Sequence, residues 1–217
     1  MGSHTPFVHE LLRYLEDQGF DGSPRVLGTE GDEEILTYVD GHVPIEVAPE
    51  TISEVVVADV GVRSAFLLIR RYHDITTGSE LAGVEEVVRH GDLSPWNTVY
   101  DDDGAFAFID WDNARPGARD EDVGYATWRY LMLGSPAAPP LQVQRRLLRV
   151  AAEAYGTRSP VDLLGHAAHA QSAQRAAFEA GHADGDPRIE RLVGLGALDF
   201  ITGAQQWLAD HRNELLR

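Results

Sequence analysis

Apolar residues recur at helical spacing from the start of the chain. Val8, Leu11, Leu12 and Leu15 share one face behind Thr5-Pro6, a capping residue followed by a proline suited to a first helical turn. Gly19 stops the pattern. Residues 25–29 and 34–39 are β-prone runs divided by Glu30-Gly31-Asp32-Glu33, which predicts a strand, a turn and a second strand. Asp40-Gly41 ends that unit. Between 49 and 72, Ile52, Val55, Val56, Val60, Phe66 and Leu67 fit one long helix, although Gly61 and several β-branched residues lower its propensity. Residues 76–83 read as a loop.

The stretch from 86 to 110 differs in kind. Val87-Val88 is followed by a polar loop, then by β-prone residues 98–100, an Asp101-Asp102-Asp103-Gly104 turn and residues 105–109. This is the pattern of a short hairpin that presents charged side chains at its strand ends. Beyond Pro116-Gly117 the helical period returns, with helices predicted over 121–133, 141–155, 161–182 and 187–216. There is no internal repeat and no low-complexity linker. A small helix-plus-hairpin unit thus precedes a larger, mostly helical unit that encloses one functional hairpin.

Composition narrows the chemistry. With 217 residues, 43% of them hydrophobic, the chain can bury one sizeable core or two small lobes. It has no cysteine, which removes disulfides, thiolate metal sites and cysteine nucleophiles. All 18 basic residues are arginine, so no step can use a lysine. A net charge of −17 argues against nucleic acid as a partner, because such binding rests on a basic surface. The same charge attracts cationic ligands, or serves solubility alone. No apolar run reaches membrane-spanning length and the first residues lack the marks of a secretory signal, so a cytoplasmic protein with no membrane partner is expected.

The residues that carry chemistry lie between Arg89 and Gly117. Phosphoryl transfer needs a carboxylate that orients or deprotonates the attacking hydroxyl, and oxygen ligands for a magnesium ion that neutralises phosphate oxygens. Asp92 and Asn97 stand on one loop, and the hairpin can fold Asp110 back to face them. Taken alone, Asp92 could instead cap a helix or form a turn. His90 reads more readily as a structural hydrogen-bonding residue than as a proton carrier. Asp112 could assist a metal or a substrate amine, or simply be solvated. Trp96 and Trp111 read as packing residues. The histidines show no metalloprotease pattern, and no G-x-S-x-G elbow is present.

His90, Gly91, Asp92 and Asn97, followed by Ile109-Asp110, resemble the H-G-D-x-x-x-x-N loop and I-D element of the aminoglycoside phosphotransferase and choline kinase branch of the protein-kinase-like superfamily. Residues 70–74 resemble the end of that family's long helix, and Asp122-Val123-Gly124-Tyr125 resembles its later bracing helix. The resemblance implies an α+β, protein-kinase-like fold, with an abbreviated N-terminal lobe at 1–42 and a mostly helical lobe carrying the catalytic hairpin at 43–217. It implies Asp92 as catalytic base, Asn97 and Asp110 as magnesium ligands, and His90 as a loop support. Mg-ATP would bind between 39–44 and Asn97/Asp110.

The expected reaction is phosphorylation of a hydroxyl on a small, cationic molecule, with Asp120, Glu121, Glu179 or Asp184 meeting its amino groups. The front of the chain departs from the family. It has no G-x-G-x-x-G loop and no phosphate-gripping lysine, and Gly194-Leu195-Gly196 falls inside a predicted helix. Glu10 and Glu16 are candidates for the helix acid that would partner such a lysine, or are solvated glutamates. Weak Mg-ATP binding and low turnover are therefore expected. The alternatives are a degenerate kinase that binds a nucleotide, metabolite or protein without turnover, and a reading frame begun too late.

Overall fold

A computed structural model describes residues 5–31, 33–44 and 56–217. Helix α1 (Thr5–Asp17) buries Val8, Leu11, Leu12 and Leu15, the stripe seen in the sequence, and Gly19 ends it with a φ of 72°. Strands β1 (Val26–Glu30) and β2 (Glu33–Leu36) pair antiparallel, and His9 of α1 reaches across to Glu34 of β2 at 2.8 Å. Among the described residues, this two-stranded sheet and α1 are the whole of the small unit.

Helix α2 (Asp59–Thr76) is the central strut. It buries Val62, Ala65, Phe66, Ile69 and Tyr72, each worth about 1.5–3 kcal/mol where the side chain is large. The expected helix over 49–72 starts later; its first positions, 49–55, lie outside the described residues. Strand β3 (Val87–Arg89) leads into the polar loop, which closes with a 3₁₀ turn (Pro95–Asn97) before the hairpin of β4 (Thr98–Asp101) and β5 (Gly104–Phe108).

The hairpin is held from several sides. Ser64 of α2 accepts from Ala105 N at 2.7 Å, Phe108 N donates to Gly22 O at 2.9 Å, and His42 and Tyr100 exchange two backbone hydrogen bonds of 2.8 Å. Gly41 makes that last approach feasible, since a Cβ there would lie 2.5 Å from Val99 Cγ1. Strand β6 (Arg115–Gly117) pairs antiparallel with β3; its Pro-Gly reads as a break in the sequence, and the pairing is long-range.

The remainder is α3 (Arg119–Tyr130), α4 (Leu141–Tyr155), α5 (Pro160–Ala183), α6 (Pro187–Gly194) and α7 (Ala197–Leu215). Helix α3 packs on α5, and α4 on α2. Ser159 and Asp162 form a reciprocal capping box at the start of α5, and Gly156 closes α4 with a φ of 80°. The single helix expected over 187–216 is instead two. Gly194 is the last residue of α6 and Gly196 adopts a φ of 88° just before α7, so the Gly194-Leu195-Gly196 run ends one helix and opens the next rather than lying inside a single one. No helix among the described residues is long and apolar enough to cross a membrane. The architecture is α+β, with a small sheet unit and a mostly helical larger one.

Candidate active site

The loop between β3 and the 3₁₀ turn is positioned from beneath by one carboxylate. Asp122 of α3 is 1% exposed, and its two oxygens accept from His90 N at 2.7 Å and Gly91 N at 2.9 Å. Behind it, His73 of α2 lies 3.2 Å from Asp122 Oδ2, and its other ring nitrogen meets Tyr155 OH of α4 at 3.0 Å. Burial pushes the Asp122 carboxyl upward, but the hydrogen bond and charge of His73, with His90 and the Gly91 amide, outweigh it and hold the group below the usual carboxylate range. Three helices thus converge on the root of one loop.

His90 is fully buried between Phe108 and Trp111. Its Nδ1 accepts from Asp92 N at 3.3 Å and its Nε2 faces Ile109 O at 3.2 Å, so the neutral Nε2–H tautomer satisfies both contacts. Burial lowers its pKa in spite of the nearby Asp122, Asp92 and Asp110 carboxylates. The imidazole therefore links the start of the loop to the end of the hairpin. Gly91, with a φ of 85°, admits this closure; a Cβ there would lie 2.6 Å from Asn113 O.

Asn97 is buried in the 3₁₀ turn, and its Nδ2 donates to Asp92 O at 3.0 Å. That bond turns Oδ1 away from the loop carbonyl and leaves it to accept. Ile109 N donates to Asn97 O at 3.0 Å, which sets the next residue, Asp110, beside Asn97. Asp110 has a φ of 61°, a left-handed conformation that is uncommon for a residue with a side chain and that collects at functional sites. Burial raises its pKa, as do the charges of Asp112 and Asp92.

Asp92, Asp110 and Asp112 are therefore near enough to repel, while Asn97 supplies a neutral oxygen. An amide oxygen and a carboxylate suit magnesium, which keeps several waters and takes phosphate oxygens as its remaining ligands. A cation here would also relieve the crowding of carboxylates. Asp112 is exposed, and its backbone amide helps to hold Asp110. Among the described residues no group of three or more His, Asp or Glu side chains forms a metal cage, so a cation at Asn97 and Asp110 would depend on water and phosphate oxygens for its other ligands.

On the other flank, the loop packs on the last turn of α3. Thr98 Oγ1 is hydrogen-bonded to Tyr130 OH, and burial, with a smaller contribution from the Asp92 charge, raises the Tyr130 pKa well above the usual phenol range. Next to it the Arg129 guanidinium lies 4.3 Å from the centre of the Trp96 ring, 5.1 Å from Trp128, 5.8 Å from Phe200 and 5.9 Å from Tyr125. Trp96 is thus one wall of an aromatic cluster around a cation, beyond the packing role its sequence position suggests, whereas Trp111 is buried in the core. Nothing local in the sequence joins Trp96 to Arg129 and Phe200.

The acids expected to meet amino groups are mostly paired within the chain. Asp120 holds Arg158 at 2.7 Å, Glu121 holds Arg89 at 3.3 Å, and Glu179 holds Arg175 at 2.8 Å. Asp184 follows the last turn of α5. Glu16 lies 3.7 Å from Arg25.

Residues 79–164 match the Phosphotransferase enzyme family. The trifolitoxin immunity protein of Rhizobium leguminosarum bv. trifolii is 27% identical over 245 residues, spanning 99% of this chain and 88% of its own. Among solved structures, APH(2'')-IIa bound to gentamicin aligns with a TM-score of 0.62 at 14% identity, over 94% of this chain and 82% of its own. Macrolide 2'-phosphotransferase MphH from Brachybacterium faecium aligns at 0.54 and 15% identity, over 94% and 79%. Choline kinase from Cryptosporidium parvum Iowa II aligns at 0.50 and 11% identity, over 100% and 79%. These structural likenesses show a shared fold. The family match spans the loop, the hairpin, α3 and α4, and the structural likenesses give the whole chain the protein-kinase-like fold of aminoglycoside and macrolide phosphotransferases and of choline kinase.

Proposed function

We propose that the chain is an ATP-dependent phosphotransferase acting in the cytoplasm on a hydroxyl group of a small, amine-bearing molecule of aminoglycoside-like character. One observation carries this reading: Asp92, Asn97 and Asp110 meet on a loop and hairpin that Asp122 holds from below. Asp92 takes the proton of the acceptor hydroxyl as its oxygen bonds to the γ-phosphorus; the bond from that phosphorus to the bridging oxygen breaks, and ADP departs. Asn97 Oδ1 and the Asp110 carboxylate would hold magnesium, which when bound would neutralise the phosphate oxygens. The nucleotide lies between residues 39–44 and the Asn97/Asp110 pair, with His90 fixing the loop and Asp112 backing Asp110. A net charge of −17 draws an amine-bearing acceptor toward the protein. The likeness to a protein named for immunity to trifolitoxin fits a protective role in which a toxic small molecule is itself the acceptor.

One observation favours a second reading, in which the fold binds a nucleotide, metabolite or protein without turnover. The chain has no lysine, so any cation that grips the triphosphate must be an arginine, and the described residues before α2 offer one helix and two strands. The two readings separate in one assay. Release of ADP against a panel of amino alcohols and aminoglycosides, lost in Asp92→Asn, supports the enzyme. Magnesium-dependent ATP binding with no transfer to any acceptor supports the binder.

A further inference from the structure

Arg89 and Arg115 are direct partners across the β3–β6 ladder, so their side chains leave the same face of a two-stranded sheet. Like charges opposite one another destabilise a sheet. This pair also stands at a defined place, since Arg89 immediately precedes His90 of the catalytic loop and Arg115 follows Asp110 by one short turn. Its geometry is asymmetric. The Arg89 stem runs over Gly117, where a Cβ would come within 2.8 Å of Arg89 Cδ, and Arg89 Nη1 reaches Glu121 Oε2 at 3.3 Å. The Nε of Arg89 is buried and has no hydrogen-bond partner among the described residues. Arg115 is largely exposed, and the partial desolvation of its guanidinium together with the Arg89 charge lowers its pKa.

The acids facing the pair are Glu121 and Asp122. Glu121 is shared between Arg89 and Ala118 N, and Asp122 is committed to His73, His90 N and Gly91 N. Of the two arginines, Glu121 therefore pairs with Arg89 alone and acts on Arg115 only through its charge, and one buried donor stays unmet. That is an uncommon arrangement in a chain carrying 35 acidic residues against 18 basic ones.

We infer that Arg89 and Arg115 form a phosphate-binding site at the foot of the catalytic loop, distinct from the nucleotide cleft, which takes a phosphate dianion between the Arg89 Nε edge and the Arg115 guanidinium. Guanidinium forks match the paired oxygens of a phosphate, and a dianion seated on the exposed Arg115 fork removes the repulsion across the ladder, with a small turn of the Arg89 side chain bringing its unmet donor to the anion. Its source is either free inorganic phosphate or the phosphate of a small monoester. An anion bound there stiffens the root of the loop one residue from His90.

The test is calorimetry with EDTA present and neither ATP nor acceptor, so that it is independent of the proposed kinase activity. Inorganic phosphate and glycerol 3-phosphate are titrated into the full chain, into Arg115→Gln, and into Arg145→Gln as a remote control. Saturable binding of at least one probe is expected, weakened at least about tenfold in Arg115→Gln and unchanged in Arg145→Gln. Tighter binding of the ester identifies a monoester as the ligand, and tighter binding of inorganic phosphate identifies the free ion. Absence of saturable binding to the wild type, or equal affinity in Arg115→Gln, overturns the site. Arg115 is exposed, so loss of the fold does not confound the result.

Discussion

The buried carboxylate of Asp122 accepts a 2.7 Å hydrogen bond from the backbone amide of His90, thirty-two residues earlier in the chain. The catalytic loop therefore takes its position from α3, with α2 and α4 standing behind through His73 and Tyr155. Removing the carboxylate strands two buried amides and a histidine at once. Asp122→Ala should lower stability by about 3–5 kcal/mol, the cost of breaking a buried charged pair from one side. Asp122→Asn, which keeps one acceptor, should lose less. Urea unfolding of the two variants against wild type measures both.

The same group sets an acid limit. Its folded pKa lies below the unfolded value of about 3.9, so its contribution is complete above that pH and is lost as pH falls through the folded pKa. The stability gap between wild type and Asp122→Asn should be constant from about pH 7 to 5 and close below about pH 4. Thermal melts across that range give the answer; a gap that instead closes between pH 7 and 5 would assign the effect to another group.

Under the proposed function Asp92 would bear on chemistry rather than on folding. It is partly exposed, and its backbone amide and carbonyl, not its carboxylate, make the loop's hydrogen bonds to His90 and Asn97. Asp92→Asn should leave the melting temperature nearly unchanged while cutting transfer by about 10²–10⁴-fold, the usual worth of a general base. Single-turnover rates on the folded variant decide this, and an unchanged rate would remove Asp92 from the role of base.

Trp96 shares the loop that carries Asp92 and faces Arg129 at 4.3 Å, and in the proposed reaction it would bear on the acceptor side of the cleft. Trp96→Ala should raise the acceptor KM while leaving the ATP KM within about twofold, since the half-buried cation–π contact, worth about 0.5–2 kcal/mol, would lie on the acceptor side alone. Steady-state kinetics with each substrate varied in turn separates the two. An equal rise in both would show that the substitution loosens the loop as a whole.

The parts of this site that were legible in the sequence are those whose partners are close along the chain. The spacing from Asp92 to Asn97, and the hairpin that returns Asp110, follow from turn chemistry and alternation. The stripe of α1 follows from its period. What was hidden depends on distant pairings. Strand β6 is three residues containing a proline and a glycine, and it is a strand only because β3 lies beside it. The cross-strand meeting of Arg89 with Arg115, and the four rings around Arg129, have no local signature. The separation of α6 from α7 was hidden differently, because a glycine within an apolar period is compatible with a continuous helix until its φ is known.

The central claim is that Asn97 and Asp110 bind the magnesium of a bound nucleotide. Crowding among Asp92, Asp110 and Asp112 implies that Asp110→Ala leaves the ligand-free protein at least as stable as wild type while removing its response to the cation. Calorimetric titration of ATP into both proteins, with and without magnesium, tests the claim most directly. Wild type should bind ATP in the presence of magnesium and lose most of that affinity without it, whereas Asp110→Ala should bind weakly in either condition. Equal ATP affinity in all four titrations, or no binding to wild type with magnesium present, would contradict the account.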